Sequence, residues 1–151
     1  MYKKILIGIE NLDDARKALN KVLDFYKTWN SKIVVFHTLE EYMFPISVPV
    51  FGWGYALPGA SYGTIRSEYY TAGRTLLEDT KKIFEKAGIS IETRLVEDIK
   101  PEDYAKDMVE EENFDLVIIG EKEHHSRLGT LFGSVPTHII NDVDTDVLVL
   151  H

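Results

Sequence analysis

Asp115-Leu-Val-Ile-Ile-Gly120, running on through Glu-Lys-Glu-His-His-Ser-Arg-Leu-Gly-Thr-Leu-Phe to Gly133-Ser134-Val135-Pro136, is the stretch on which the fold turns. Its first part is a short β-branched apolar run, as a strand covered on both faces requires. A glycine-punctuated loop follows, and Pro136-Thr-His-Ile-Ile reads as a first helical turn with proline near its start. Gly-Ser at a helix N-terminus offers unpaired backbone N–H groups, and the helix dipole adds partial positive charge. The segment is therefore a candidate phosphate cradle at the end of a strand.

Outward from this stretch, strands and helices alternate. Lys3 to Ile9 is an apolar first strand. Asp13 and Asp14 are expected to cap a helix whose Ala15, Ala18, Leu19, Val22, Leu23, Tyr26 and Trp29 recur at helical spacing, with Asn30-Ser31 closing it. Lys32 to Thr38 is a second buried strand. A second helix is expected from about Arg66 to Ala87, with Tyr69, Tyr70, Leu76, Leu77, Ile83 and Phe84 inward and Gly88 as its left-handed end. Ser90 to Val96 alternates as a third strand nearer an edge. Pro101 opens a third helix with Tyr104, Ala105, Met108 and Val109 inward. The Asp115–Ile119 strand, a helix from about Val135 to Asp142 and a strand from Asp146 to Leu150 complete the series.

Regular βα alternation with right-handed crossovers gives an open five-stranded parallel sheet with helices on both faces. Ligands of such sheets bind beyond the carboxyl ends of the strands, where strand order reverses. The expected reversal lies between the first and fourth strands, so Glu10 and Gly120 face one crevice.

Bulk properties narrow the function. At 151 residues the chain is one domain spanning 1–151, able to bury roughly two thirds of its unfolded surface. A net charge of −8 disfavours nucleic acid and anionic membranes as partners. No run approaches the ~20 apolar residues of a membrane span, and the first residues make a poor signal peptide. The absence of cysteine excludes disulfides and thiol catalysis, so a cytoplasmic location is expected.

These residues carry a resemblance. Ile5-Leu-Ile-Gly-Ile, Val34-Val-Phe-His37, Asp115 to Gly120, Gly133-Ser134-Val135 and Val147-Leu-Val-Leu150 together resemble a universal stress protein domain over nearly the whole chain. The resemblance implies a flavodoxin-like sheet of order 3-2-1-4-5. It also implies ATP or AMP, with magnesium, held in the crevice by Gly120, Gly133, Ser134 and Val135, with adenine near Glu10 and Thr38. A homodimer is implied too, with the last strands, Val147, Leu148, Val149 and Leu150, paired about a two-fold axis.

The family pattern is glycine, two residues, glycine, nine residues, then glycine and Ser or Thr. Here its middle glycine is Glu123, and the aspartate usual at the end of the first strand is Glu10. Pro136 withholds an N–H beside the cradle, and Glu121 adds a carboxylate. Glu121, Glu123 and Pro136 thus degrade the site, whereas His124, His125 and Arg127 offer compensating charge. The expected function is a binding and regulatory module with a degenerate ATP site, working through homodimerisation and an unidentified protein partner. The alternatives are an ATP-binding stress protein with at most slow hydrolysis and, more remotely, an enzyme on the same architecture.

Blander readings compete at each position. Gly133-Ser134 also serves as an ordinary helix entry. Adjacent His124 and His125 on a charged loop lack metal-ligand spacing, so no metal is expected. His37 reads as a hydrogen-bonded core residue. Ser134 with His138 one turn later lacks an acid to orient the histidine, and no catalytic residue is assigned. The segment 42–63, uncharged and rich in aromatics, proline and glycine, reads as an extended loop acting as lid, interface or family-variable insertion.

Overall fold

The structure, a computed structural model, describes residues 1–39, 59–121 and 135–151, with the backbone alone for 59–65. Its elements run β1 (Lys4–Gly8), α1 (Leu12–Trp29), β2 (Lys32–Leu39), α2 (Gly59–Lys86), β3 (Ile91–Glu97), α3 (Pro101–Glu112), β4 (Leu116–Gly120), α4 (Val135–Asp142) and β5 (Asp146–Leu150). All four strand pairings are parallel, in the order β3-β2-β1-β4-β5. The sheet expected from the sequence is the sheet observed.

Strand pleating sorts the apolar residues into two cores. Ile5, Ile7, Ile33, Val35 and Ile118 point toward α1 and α2 and join Ala15, Ala18, Val22, Leu77 and Phe84. Leu6, Val34, Phe36, Val117 and Ile119 point the other way, toward Tyr104, Ala105 and Ile139 of α3 and α4. Ile7 stands opposite Val35 on one side and Ile118 on the other. This fixes register, because a one-residue slip would turn every side chain to the wrong core. Each such Ile or Val contributes about 1.5–3 kcal/mol on burial. Close packing explains Gly8 as well: a Cβ there would lie 2.6 Å from Ile119 Cδ1 and 2.9 Å from Phe36 Cζ.

Helix ends follow local chemistry. Asn30 and Asn113 take left-handed backbone after α1 and α3, and their N–H groups close on the carbonyls of Tyr26 and Val109. Gly88, at φ +78°, sits in the left-handed conformation expected of it.

Three expectations need correction. The N-cap of α1 is Asn11, whose side chain accepts from the Asp14 N–H; Asp14 lies inside the first turn. Helix α2 begins at Gly59 rather than near Arg66, so residues 59–63 of the expected loop are helical backbone. The rest of that segment, up to Pro58, lies outside the described residues. Tyr69 and Tyr70 are 42% and 40% exposed rather than inward. Arg66 pairs with Glu97 and Asp98 at the end of β3, and the buried stripe of α2 starts only at Gly73 and continues through Leu77, Thr80 and Phe84.

Candidate functional site at the strand-order reversal

Strand β1 is flanked by β2 and β4: the chain steps outward from β1 through β2 to β3 on one side, then crosses over to β4 and β5 on the other. A crevice therefore opens where β1 and β4 end. There the structure holds a cavity of about 290 Å³ lined by Glu10 and Asn11 after β1, Asp13, Asp14 and Lys17 of α1, Gly120 at the end of β4 and Glu121 after it. Glu10, Gly120 and Glu121, each singled out in the sequence, all line this cavity.

The peptide joining Ile9 to Glu10 is gripped from both sides. Its carbonyl oxygen lies 2.7 Å from His37 Nδ1, which makes the imidazole a donor at that nitrogen. Its N–H donates to Asp14 Oδ2 at 2.9 Å. His37 is thus half-buried and hydrogen-bonded, as expected, and it also fixes the end of β1. Thr38 is buried one register from the end of the β2–β3 ladder, opposite Val96.

Asp14 is the residue that sequence reasoning missed here. It is 7% exposed. A Cβ on Gly120 would come within 2.5 Å of its Oδ1 and 2.8 Å of its Oδ2. Gly120 therefore has a steric reason to be glycine apart from any ligand. The signal was present in the sequence: Asn11 and Asp14 have the spacing of a reciprocal cap, in which each polar side chain serves backbone at the other end.

The electrostatics are one-sided. Four carboxylates, Glu10, Asp13, Asp14 and Glu121, face one ammonium among the lining residues, and Lys17 Nζ stands 2.9 Å from Asp13 Oδ2. Glu121 Oε2 also receives His151 Nδ1 at 2.6 Å on the exposed rim. No trio of metal-ligating side chains is gathered among the described residues.

On the other side of the crevice, α4 starts with Val135 and Pro136, the latter buried. Gly133, Ser134, Glu123, His124, His125 and Arg127 lie outside the described residues. The structure does supply an acid for His138: Glu102 Oε1 of α3 is 3.4 Å from its Nδ1. Sequence reasoning found no such acid because the partner comes from another element. Val147 and Val149 of β5 pack toward α3 and α4, Leu148 packs toward the opposite core, and Leu150 is buried. None of the described helices is long and apolar enough to cross a membrane.

Comparison with known proteins agrees with this architecture. Two curated relatives from Methanocaldococcus jannaschii are similar over nearly the whole chain. Universal stress protein MJ0531 is 23% identical, with 99% of this chain and 82% of the relative covered. Universal stress protein MJ0577 is 24% identical, with 99% and 95% covered. The solved structure of MJ0577 superposes with a TM-score of 0.75 at 21% identity, covering 99% of this chain and 96% of that one. A universal stress protein solved in complex with cAMP gives 0.66 at 21% identity over 99% and 97%. One from Archaeoglobus fulgidus in complex with dAMP gives 0.63 at 19% identity over 99% and 98%. The model of the universal stress protein family matches residues 1–151, and the chain belongs to that family.

Proposed function

We propose that this protein is a binding and regulatory module whose crevice at the ends of β1 and β4 takes adenine nucleotides, with ATP bound weakly or not at all. Its output would pass through a homodimer and protein contacts rather than turnover. The universal stress proteins solved with cAMP and with dAMP support an adenine nucleotide as the ligand. Glu10 and Thr38 would meet the base, and Gly120, Gly133, Ser134 and Val135 the phosphate.

One observation carries the weakness toward ATP: the cavity is lined by four carboxylates and one ammonium. A triphosphate brings several negative charges to such a wall, and close charges of like sign repel strongly where water is partly excluded. Glu123, in place of the pattern's middle glycine, adds a further carboxylate and removes close backbone approach.

Calorimetric titration with ATP and magnesium at near-physiological salt tests the proposal. Dissociation constants in the high micromolar range or weaker are expected. Sub-micromolar binding would overturn it in favour of a functional ATP site.

A further inference from the structure

The two strand ends that frame the crevice are covered by a single carboxylate. Asp14 Oδ2 accepts the N–H of Glu10, and the same carboxylate occupies the space in front of the Gly120 Cα. A backbone N–H at the reversal of a parallel sheet is the kind of donor that an anionic ligand takes. In this protein it already has an anion. Asp14 is held there by its place in the first turn of α1, where the helix dipole favours negative charge, and by the Asn11 side chain bonded to its own N–H.

We infer that Asp14 is the specificity-determining residue of this crevice: its buried charge grades adenine ligands by their number of phosphates. An adenosine or a monophosphate fits beside it, and a triphosphate is rejected. Asp14 is 7% exposed, so counter-ions and water screen it little. Glu10, Asp13 and Glu121 are exposed to solvent, and Asp13 and Glu121 also have a cationic or imidazole partner in Lys17 and His151. Burial therefore makes Asp14 the dominant charge. The inference rests on the adenine-nucleotide reading of the site.

Asp14→Asn separates charge from shape. The amide keeps the size and an acceptor for the Glu10 N–H while losing the charge. Dissociation constants for adenosine, AMP and ATP should be measured on both proteins at one ionic strength. The expected result is a rise in ATP affinity of about tenfold or more, a smaller rise for AMP, and an adenosine affinity within about twofold. A common factor for all three ligands, or no change in any, would overturn the inference. Should Asp14→Asn fail to fold, Asp14→Ser removes the charge with another capping side chain and is read in the same way. If neither adenosine nor AMP binds the wild type, the adenine reading fails by itself. Asp14 is then judged by pyrophosphate binding followed by phosphorus NMR, where a gain in Asp14→Asn sustains its role and equal behaviour of the two proteins overturns it.

Discussion

Arg94 and Glu112 meet along two parallel hydrogen bonds, Nη1 to Oε1 at 2.6 Å and Nη2 to Oε2 at 3.2 Å, which tie the edge strand β3 to the last turn of α3. A glutamate in a last helical turn opposes the helix dipole. Here the guanidinium offsets that, and Lys4 Nζ donates to the Glu112 carbonyl oxygen. Arg94 Nε also donates to Glu92 at 2.7 Å. Replacing Glu112 with Gln should lower stability by about 1–2 kcal/mol, the range for losing a charge-assisted, partly buried pair. A urea melt of the variant checks this.

The same pair sets a pH dependence. The hydrogen bond from Arg94 holds the Glu112 carboxyl below its ordinary value of 4.5, and the Glu92 carboxyl is lowered by the same guanidinium. A carboxyl whose folded pKa is depressed stabilises the fold fully above its unfolded value and loses that contribution as pH falls through the folded one. Stability should therefore hold from neutrality down to about pH 5 and decline below it. The decline should be shallower in Glu112→Gln. Urea midpoints across this range, equal in slope for both proteins, would show that the pair is not the source.

Gly120→Ala should destabilise by about 1–3 kcal/mol, since its new Cβ would stand 2.5 Å from Asp14 Oδ1, against a carboxylate held by the Glu10 N–H on a residue whose own N–H is capped by Asn11. Combining it with Asp14→Ser should cost less than the sum of the two single changes. A double-mutant cycle reads this directly, and additive effects would mean that the strand end, not Asp14, dictates the glycine.

Apolar runs and helical spacing made the sheet order and both cores readable from sequence, because burial on two faces leaves an uninterrupted run such as Leu116 to Ile119. Helical spacing alone does not show where along α2 the buried stripe begins, so it places Tyr69 and Tyr70 inward although they are 42% and 40% exposed. The crevice was half readable. Glu10 and Gly120 follow from strand ends, whereas Asp14 reads in the sequence as a helix cap, since side-chain direction toward another strand is a tertiary fact. The same limit hid Glu102 as the partner of His138.

Glu123→Gly should raise nucleotide affinity by restoring close backbone approach and removing a charge, by about 1–3 kcal/mol in all. Adding Ser134→Ala should reverse part of the gain. Calorimetry on the single and double variants decides. An unchanged affinity in Glu123→Gly would place the obstruction elsewhere, with Asp14 and the 42–63 segment as the next sites to vary.

The edge strand β5 ends the sheet with Val147, Leu148 and Val149 half-buried. An apolar edge with unpaired backbone groups invites pairing. On α4, which packs against β5, Ile140 is 53% exposed and offers further apolar surface. A second copy meeting this edge about a two-fold axis, with the strands antiparallel, would cover both. We therefore expect a homodimer in solution, with an interface of the ~800 Å² per partner usual for stable pairs. Val147 and Val149 pack against their own protomer's α3 and α4 core, so lysine at either position strains the fold as well as the contact. Circular dichroism must accompany those variants. Ile140→Lys avoids the difficulty, because its side chain already faces outward. Light scattering over a range of concentrations should show a dimer for the unmodified protein and a shift toward monomer in Ile140→Lys and in a folded Val149→Lys. A monomer mass at every concentration for the unmodified protein would refute the dimer, and a dimer that withstands both variants would place its interface away from β5.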